Sequence, residues 1–227
     1  YMTRFPNMPI RIFNGGIGGD TAYDMNKRLD GDIFSKNPTV LMVTFGMNDS
    51  GYYEYNGDNA KEFGEQKYQE SIKNFQQMEK RFKELPHTRI VMTGTSPYDE
   101  TAQIKDNTVF KKKNETIKRI IEYQRESAAR NGWEFTDWNA PMVAINQELQ
   151  QKDPSFTLCG NDRIHPDNDG HMVMAYLFLK AQGFAGKDVA NMEINANKKQ
   201  AVKAEGCTIS NIKKIGKDIS FDYLAEA

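Results

Sequence analysis

Apolar side chains recur along the chain in two patterns, short continuous runs and longer segments with a three-to-four-residue repeat. Residues 40–45 and 89–93 form the strongest continuous runs and are rich in β-branched side chains. A run without polar alternation predicts a strand covered on both faces, which is typical of a parallel sheet. Shorter runs at residues 10–13 and 134–138 predict two further strands.

The segments between these runs have the spacing of helices with one apolar face. Residues 59–85 repeat apolar side chains at steps of three and four, at Tyr68, Ile72, Phe75, Met78, Phe82 and Leu85. Residues 107–131 do the same at Phe110, Ile117, Ile120, Ile121 and Ala128. Helices are also predicted over residues 21–35 and 142–149. Residues 171–179 are apolar nearly all round and predict a helix buried against the sheet.

The alternation of strands and helices predicts an α/β fold, a three-layer sandwich with a mostly parallel open sheet between helices. Toward the C-terminus the pattern of apolar and polar residues changes. Residues 187–203 are polar and compatible with a helix, whereas 208–209 and 219–221 predict the two strands of a hairpin. We therefore expect an α/β domain over residues 1–183 and a C-terminal extension, the start of a small β appendage, over 184–227.

Composition narrows the possible partners. Lys and Arg total 30 against 31 Asp and Glu, a net charge of −1, so no basic track for nucleic acid is expected. No run of 18 apolar residues occurs, and we expect no membrane span. Cys159 and Cys207 are too few for a disulfide framework and lie in no metal-ligand pattern. They could pair or remain free buried thiols.

A glycine-rich loop follows the predicted strand at residues 10–13 and reads Asn-Gly-Gly-Ile-Gly-Gly-Asp-Thr over residues 14–21. Glycines between a strand and a helix let backbone N–H groups approach a ligand. A dinucleotide loop needs G-x-G-x-x-G or G-x-G-x-x-A, and counting from Gly16 places Thr21 at the last position. The loop is therefore either a ligand-facing turn of another kind or simply a tight turn.

A second loop, Phe-Gly-Met-Asn-Asp-Ser-Gly over residues 45–51, comes directly after the strongest strand. In an open parallel sheet, sites form at the carboxyl ends of the strands. Asn48 can aim its side-chain amide at a developing oxyanion there. The alternative is that Asn48 and Asp49 form a helix-capping turn.

The third loop reads Gly-Asn-Asp-Arg-Ile-His-Pro-Asp over residues 160–167. Asp162 and His165, three residues apart, can place a carboxylate against an imidazole nitrogen, which fixes the tautomer and stabilises the imidazolium. The alternative is a hydrogen-bonded structural histidine. The other histidines, His87 and His171, have no comparable setting.

A metal site could be assembled from Asp20, Asp49, Asp162 and His165. No ligand spacing such as H-E-x-x-H supports it. We therefore expect neither a metal nor another cofactor.

Taken together and in this order, the three loops resemble those of the SGNH hydrolase superfamily, the GDSL lipases and esterases. The resemblance covers residues 9–183 and implies a three-layer α/β fold and a serine esterase. It implies that the Gly19 N–H and the Asn48 side chain form the oxyanion hole. It also implies that Asp162 is the catalytic acid partner and that His165 is the general base.

One departure from the family concerns the nucleophile. The family's first block, Gly-Asp-Ser after the first strand, should lie upstream of Ile10, and no Gly-Asp-Ser occurs in this sequence. The opening residues 1–6 resemble the tail of the helix that follows that block. We expect an N-terminal segment of roughly 30 residues to supply the serine and complete the sheet, and expect the chain alone to be inactive. Ser50 and Ser96 lie near the site but have no strand-to-helix nucleophile turn.

Aromatic residues near the loops bear on the substrate. Tyr52, Tyr53 and Tyr98 could stack on a sugar ring, or could be packing residues. No long apolar lid is evident, so we favour a small-acyl ester, such as an acetyl ester on a carbohydrate. Localisation is undetermined, although family analogy suggests the periplasm or secretion; the sequence leaves the oligomeric state open. The alternatives are a non-catalytic carbohydrate-binding or scaffold protein and a nucleotide-binding α/β domain.

Overall fold

The chain divides into two compact units. The structure, a computed structural model, describes residues 5, 7–105 and 107–226. One unit is Gly15–Gly183, and the other comprises Tyr1–Asn14 together with Phe184–Ala227. The Gly15–Gly183 unit contains the second and third loops singled out by the sequence and all of the glycine-rich loop except Asn14.

A three-stranded parallel sheet forms the centre of the Gly15–Gly183 unit. Its strands are β1 (Val40–Phe45), β2 (Arg89–Gly94) and β3 (Glu134–Asp137), in that spatial order. In register, Val40 lies opposite Arg89. The runs at residues 40–45, 89–93 and 134–138 therefore predicted these strands to within a residue.

Helices connect and flank the strands of this unit, as an α/β fold requires. They are α1 (Ala22–Arg28), which continues as a π-helical turn over Leu29–Ile33 and a 3₁₀ turn over Phe34–Lys36, α2 (Ala60–Phe82), α3 (Lys113–Asn131), α4 (Asn139–Gln150) and α5 (Asn168–Ala181). The α/β prediction is confirmed. In the described part of the chain, no helix is both long and apolar enough to cross a membrane.

Helix α3 begins six residues later than the periodicity predicts. Lys112 has a positive φ of 70°, which is incompatible with a helix continuing through it. Upstream, the Phe110 N–H donates to the Tyr98 hydroxyl at 3.0 Å instead of to a helical carbonyl. The apolar repeat is real, but a side-chain hydrogen bond takes the place of the first helical turn.

The main core lies between β1, β2 and the helices α2 and α3. Val43, Phe45 and Met92 point to this face, because side chains alternate along a strand. They meet Phe75 and Ile120, which recur at helical spacing on α2 and α3. Phe75 is completely buried, and its ring lies 5.0 Å from that of Phe45.

The other face of the sheet is only partly covered. Helix α5 packs on this side through Val173, Met174, Leu177 and Phe178, against Trp138 and Met142. The helix predicted over residues 171–179 is present but only partly buried, since Met172 is 70% exposed and Tyr176 is also exposed. Val40 and Met42 of β1 are about half exposed as well. In the described part of the Gly15–Gly183 unit, no element covers these apolar side chains.

Residues 10–13 do not form the predicted strand. They have no regular secondary structure, and Ile12 and Phe13 are exposed. A strand requires a hydrogen-bonded neighbour, and none of the described residues pairs with this run. The apolar pattern is that of a strand, but the pairing partner is not among the described residues.

The C-terminal extension is all β. Strands β4 (Asn191–Asn195) and β5 (Gln200–Glu205) form one antiparallel pair, and β6 (Cys207–Ile215) and β7 (Asp218–Ala225) form another. The hairpin predicted at 208–209 and 219–221 is confirmed, whereas the helix over 187–203 is wrong. The Asn195 side chain accepts hydrogen bonds from the amides of Asn197 and Lys198 and so makes a turn where a helix would continue.

Replacing Phe75 with alanine tests the core assignment. Phe75→Ala should lower the free energy of unfolding by about 3–5 kcal/mol, because it leaves a cavity between α2 and β1. Gln77→Ala, at an exposed position of the same helix, should change it by no more than about 0.5 kcal/mol. Urea denaturation of both variants provides the measurement, and equal effects would contradict the assignment.

Candidate active site

The glycine loop is fixed in place by a single arginine of α1. Arg28 donates one hydrogen bond to the Asp20 carboxylate at 2.7 Å and another to the Gly15 carbonyl at 2.6 Å. Gly19 has a φ of +89°, a conformation that favours glycine. No heavy atom lies within 4 Å of where a Cβ on Gly19 would be, so its backbone faces open space. The sequence analysis missed Arg28, whose partners lie 8 and 13 residues away.

The Asn48 loop is tied to its surroundings by the buried carboxylate of Asp49. This carboxylate accepts hydrogen bonds from the Gly46 N–H at 3.1 Å, the Ala22 N–H at 3.0 Å and the Ser71 hydroxyl at 3.0 Å. Burial raises the pKa of Asp49, and these hydrogen bonds partly offset that effect. The loop after β1, the start of α1 and helix α2 thus converge on one side chain.

The side chain of Asn48 lies against the glycine loop. Its Nδ2 donates to the Asp20 carbonyl at 3.0 Å, and its Oδ1 accepts from the Tyr52 hydroxyl at 2.5 Å. The orientation of the amide follows from these partners, because a carbonyl can only accept and the amide oxygen needs a donor. One N–H of the amide is left for a ligand, next to the open backbone of Gly19.

Tyr52 connects the Asn48 loop with the third loop. Its pKa is raised to about 12, chiefly by burial and then by the negative charges of Asp162 and Asp49. The hydroxyl therefore remains a donor to Asn48 at neutral pH. Met47 of the Asn48 loop and Ile164 of the third loop pack against the same buried cluster, which contains Tyr98, Ile117 and Ile121. The Asn48 loop therefore contacts the glycine loop on one side and shares a hydrophobic cluster with the third loop.

The third loop places Asp162 against His165. The carboxylate Oδ2 lies 2.6 Å from His165 Nδ1, while Oδ1 accepts from the backbone N–H groups of Ile164 and His165 at 2.9 Å each. Partial burial opposes ionisation, but these hydrogen bonds outweigh it and hold the pKa of Asp162 below its usual value. With Nδ1 facing a carboxylate, Nε2 is the nitrogen available as a base. The His165 side chain is 81% exposed.

A buried arginine within this turn holds it in place. Arg163 is almost completely buried and donates to the carbonyls of Asp99 at 3.1 Å and Ala102 at 2.7 Å. Its φ of +68° is unfavourable for a residue with a side chain, at a cost of roughly 1–2 kcal/mol. The Asp99 N–H donates to the Arg163 carbonyl at 3.0 Å, so both ends of the residue are anchored. The sequence analysis missed Arg163, since a loop arginine is normally exposed.

Neither alternative serine is available as a nucleophile. Ser50 is completely buried; its hydroxyl donates to the Met47 carbonyl at 2.8 Å and accepts from Lys113 Nζ at 2.5 Å. Ser96 is also buried. A substrate carbonyl cannot reach either hydroxyl in this structure.

The three tyrosines differ in their access to a substrate. Tyr53 is 79% exposed and lies edge-on to Phe110 at 5.5 Å between ring centroids. Tyr52 is partly buried beneath the Asn48 side chain that it orients. Tyr98 is buried and stacks on Phe110 at 5.6 Å, so of the two alternatives left open by the sequence it is a packing residue and cannot stack on a sugar ring.

The two cysteine thiols are buried among packing residues and are not part of a reactive site. Cys159 and Cys207 are both free and buried. Burial raises the pKa of Cys159 to about 12, and its thiol donates to the Pro97 carbonyl at 3.2 Å, so the thiolate nucleophile does not form at neutral pH. Among the described residues, no three His, Cys, Asp or Glu side chains are grouped as metal ligands.

Comparison with known proteins agrees with this arrangement of loops. Residues 4–173 match the GDSL-like lipase/acylhydrolase family. An acetylxylan esterase of Geobacillus stearothermophilus is 24% identical over 181 residues, covering 79% of this chain and 75% of the relative. A crystal structure of a catalytic mutant of an acetylxylan esterase from this organism has a TM-score of 0.62 at 21% identity, covering 81% of this chain and 77% of that one.

A further acetyl xylan esterase crystal structure has a TM-score of 0.54 at 22% identity, covering 73% of this chain and 78% of that one. At these identities the structural likeness establishes the fold. The family match spans most of the α/β unit and includes all three loops. The chain therefore belongs to the GDSL-like lipase/acylhydrolase family, the SGNH hydrolases, and has the fold of an SGNH-type esterase.

Proposed function

We propose that this protein is a serine esterase that removes a small acyl group, such as acetyl, from a carbohydrate, and that its nucleophilic serine lies outside the present sequence. The observation that carries the proposal is the Asp162–His165 pair at 2.6 Å. Beside this pair, we propose the amide of Asn48 and the backbone N–H of Gly19 as the oxyanion donors. A binding site has no need of a base that a carboxylate orients.

The arrangement fits a two-step acyl transfer. His165 Nε2 takes the proton of the serine hydroxyl as the oxygen attacks the ester carbonyl, and Asp162 stabilises the imidazolium. The Gly19 N–H and the Asn48 amide hold the oxyanion. His165 returns the proton to the leaving alcohol, and water then cleaves the acyl-enzyme by the same route. No cofactor enters this sequence of steps.

The surface of the sheet supports an external source of the serine. In the described sheet β1 is an edge strand, with Val40 and Met42 open on the face that α5 leaves uncovered. Apolar side chains of α5, Met172 and Tyr176 among them, are exposed. A strand paired with β1 and followed by a helix would cover these groups and would end at the site edge of the sheet. We propose that an N-terminal segment of the natural protein supplies this unit and the nucleophile.

The carbohydrate part of the proposal rests on two observations. The similar proteins are acetylxylan esterases. Tyr53 and Phe110 also form an aromatic surface beside Tyr52, and sugar rings commonly stack on exposed aromatic side chains. Tyr98 backs this surface from within. The acyl group is expected to be small, because the His165 edge is open and has no apolar lid among the described residues.

Fluorophosphonate labelling of the natural full-length protein tests the source of the serine. We expect one labelled serine, located N-terminal to the present sequence, and hydrolysis of acetylated xylo-oligosaccharides. Labelling of Ser50 or Ser96 would contradict the assignment of the nucleophile. A full-length protein that binds acetylated oligosaccharides but neither reacts nor hydrolyses them would favour a carbohydrate-binding role.

Substitutions of the base and of the oxyanion donor should have different magnitudes. In the full-length enzyme, His165→Ala should lower kcat by about 10⁴–10⁶-fold, since no other base is placed at the serine. Asn48→Ala should lower it by about 10²–10³-fold with little change in KM, because its contact strengthens in the transition state. Steady-state kinetics on p-nitrophenyl acetate provide both values. Near wild-type activity in His165→Ala would refute the mechanism.

The aromatic surface gives a separate prediction about the substrate. Tyr53→Ala should raise KM for an acetylated xylo-oligosaccharide by about tenfold, a typical loss for one stacking contact, and leave p-nitrophenyl acetate hydrolysis unchanged. Tyr53→Phe keeps the ring and serves as the control, with a KM near that of wild type. Equal effects of Tyr53→Ala on both substrates would remove the argument for a sugar site here.

A further inference from the structure

Lys113 occupies an unfavourable position for a lysine. It is the first residue of α3 and is completely buried. A positive charge at a helix N-terminus opposes the helix dipole, and removing an ammonium from water is costly. In the described part of the chain, no carboxylate lies within salt-bridge distance of Lys113. A lysine retained under these conditions needs a compensating set of contacts.

All the hydrogen bonds of the Lys113 ammonium go to the loop that carries Asn48. Its Nζ donates to the Met47 carbonyl at 2.7 Å, the Ser50 hydroxyl at 2.5 Å and the Gly51 carbonyl. An ammonium has three N–H groups, so its donors are fully used on residues that bracket Asn48. Ser50, excluded above as a nucleophile, serves here as an acceptor.

Lys113 also reaches Asn48 through Tyr52. Its Nζ lies 3.8 Å from the centroid of the Tyr52 ring, within the range of a cation–π interaction. The hydroxyl of that same ring donates to Asn48 Oδ1 at 2.5 Å. The backbone on both sides of Asn48 and the oxygen of its amide are therefore held by one ammonium and one tyrosine. What remains unheld is the Nδ2 end that faces Gly19.

We propose that Lys113 is a positioning residue of the oxyanion hole, and that its protonated ammonium holds the Asn48 loop and Tyr52 in the geometry that accepts the oxyanion. This inference rests on the proposed esterase function. Lys113 takes no part in bond making. Its effect is exerted on the direction of the Asn48 amide, and a misplacement of about 1 Å there can cost 10²-fold in rate.

The protonation state of Lys113 gives this role a characteristic pH dependence. Burial lowers the pKa of Lys113 to about 7, while the charges of Asp49 and Glu100 partly oppose that shift. The groups facing it are Asp49 and Tyr52 from the Asn48 segment and Glu100 and Tyr98 from the segment before α3. Loss of the proton removes one of the three N–H donors of Lys113 and the positive charge that lies over the Tyr52 ring. The loop is then held less firmly.

The test compares kcat and KM between pH 5.5 and 9.5 for full-length wild type and Lys113→Met. In wild type, kcat should fall as the pH rises through the Lys113 pKa of about 7. Lys113→Met should lower kcat by about 10²-fold at pH 6 with little change in KM. It should also lack the alkaline decline. A structural role alone would lower stability without removing that decline.

Gln124→Met is the matched control. Gln124 lies on the same helix, is also completely buried, and donates at 3.1 Å to the carbonyl of Phe45, the last residue of β1, and not to the residues that Lys113 holds. It should keep the kcat and the pH profile of wild type. If Gln124→Met reproduces the loss seen with Lys113→Met, or if Lys113→Met retains the wild-type profile, the proposal is overturned. If Lys113→Met does not fold, a wild-type kcat that stays constant from pH 6 to 9 overturns it.

A second measurement needs no enzymatic activity. The side-chain amide resonances of Asn48 should titrate in wild type with the Lys113 pKa of about 7. The free energy of unfolding of wild type, relative to Lys113→Met, should rise above that pH, because the folded state then no longer buries the charge. Absence of esterase activity would reject the proposed function. If the Asn48 resonances do not change over this pH range, the proposed role of Lys113 is rejected, whatever the esterase activity of the protein.

Discussion

The site depends on the buried carboxylate of Asp49. Its three hydrogen bonds come from the loop after β1, the first residue of α1 and the middle of α2, which are distant in sequence. Because each donor is buried, loss of the acceptor leaves each one unsatisfied at about 1–3 kcal/mol. Asn48 lies in the first of these segments, and Gly19 lies in the loop that leads into the second. Asp49 therefore joins the loop of one proposed oxyanion donor to the helix that follows the other.

The rest of the site shows the same separation between groups that face solvent and buried groups that hold them in place. The imidazole of His165, which we propose as the base, is exposed, whereas the charged residues Arg163 and Lys113 that hold the loops are buried. Arg163 holds the acid–base turn, and Lys113 contacts the Asn48 loop. Buried charges are costly unless they are fully hydrogen-bonded, and a fully bonded charge has few alternative arrangements. Rigid supports of this kind restrict the reacting groups to one geometry.

Most elements were readable from the sequence, but the residues that hold the loops in place were not. The continuous apolar run at residues 40–45 predicted β1 because a run of β-branched and apolar residues is typical of a strand. Asn48, Asp162 and His165 stood out because the loops that carry them follow a strand or precede a helix, and their roles remain a proposal. Lys113 lies 66 residues from Met47 and within a run of three lysines. The local sequence pattern predicts that such a run is exposed to solvent, because nothing in the neighbouring sequence identifies the groups that accept hydrogen bonds from Lys113.

The predictions of burial for β1 and α5 failed for a common physical reason. Both elements are apolar on faces that the described residues leave partly uncovered. Apolar patterning records the burial of an element in its working state, whatever supplies the covering surface. The N-terminal strand and helix that we propose would bury these faces and would also bring the serine to the edge of the sheet that holds His165. On that proposal, the uncovered surface and the missing serine have a single explanation.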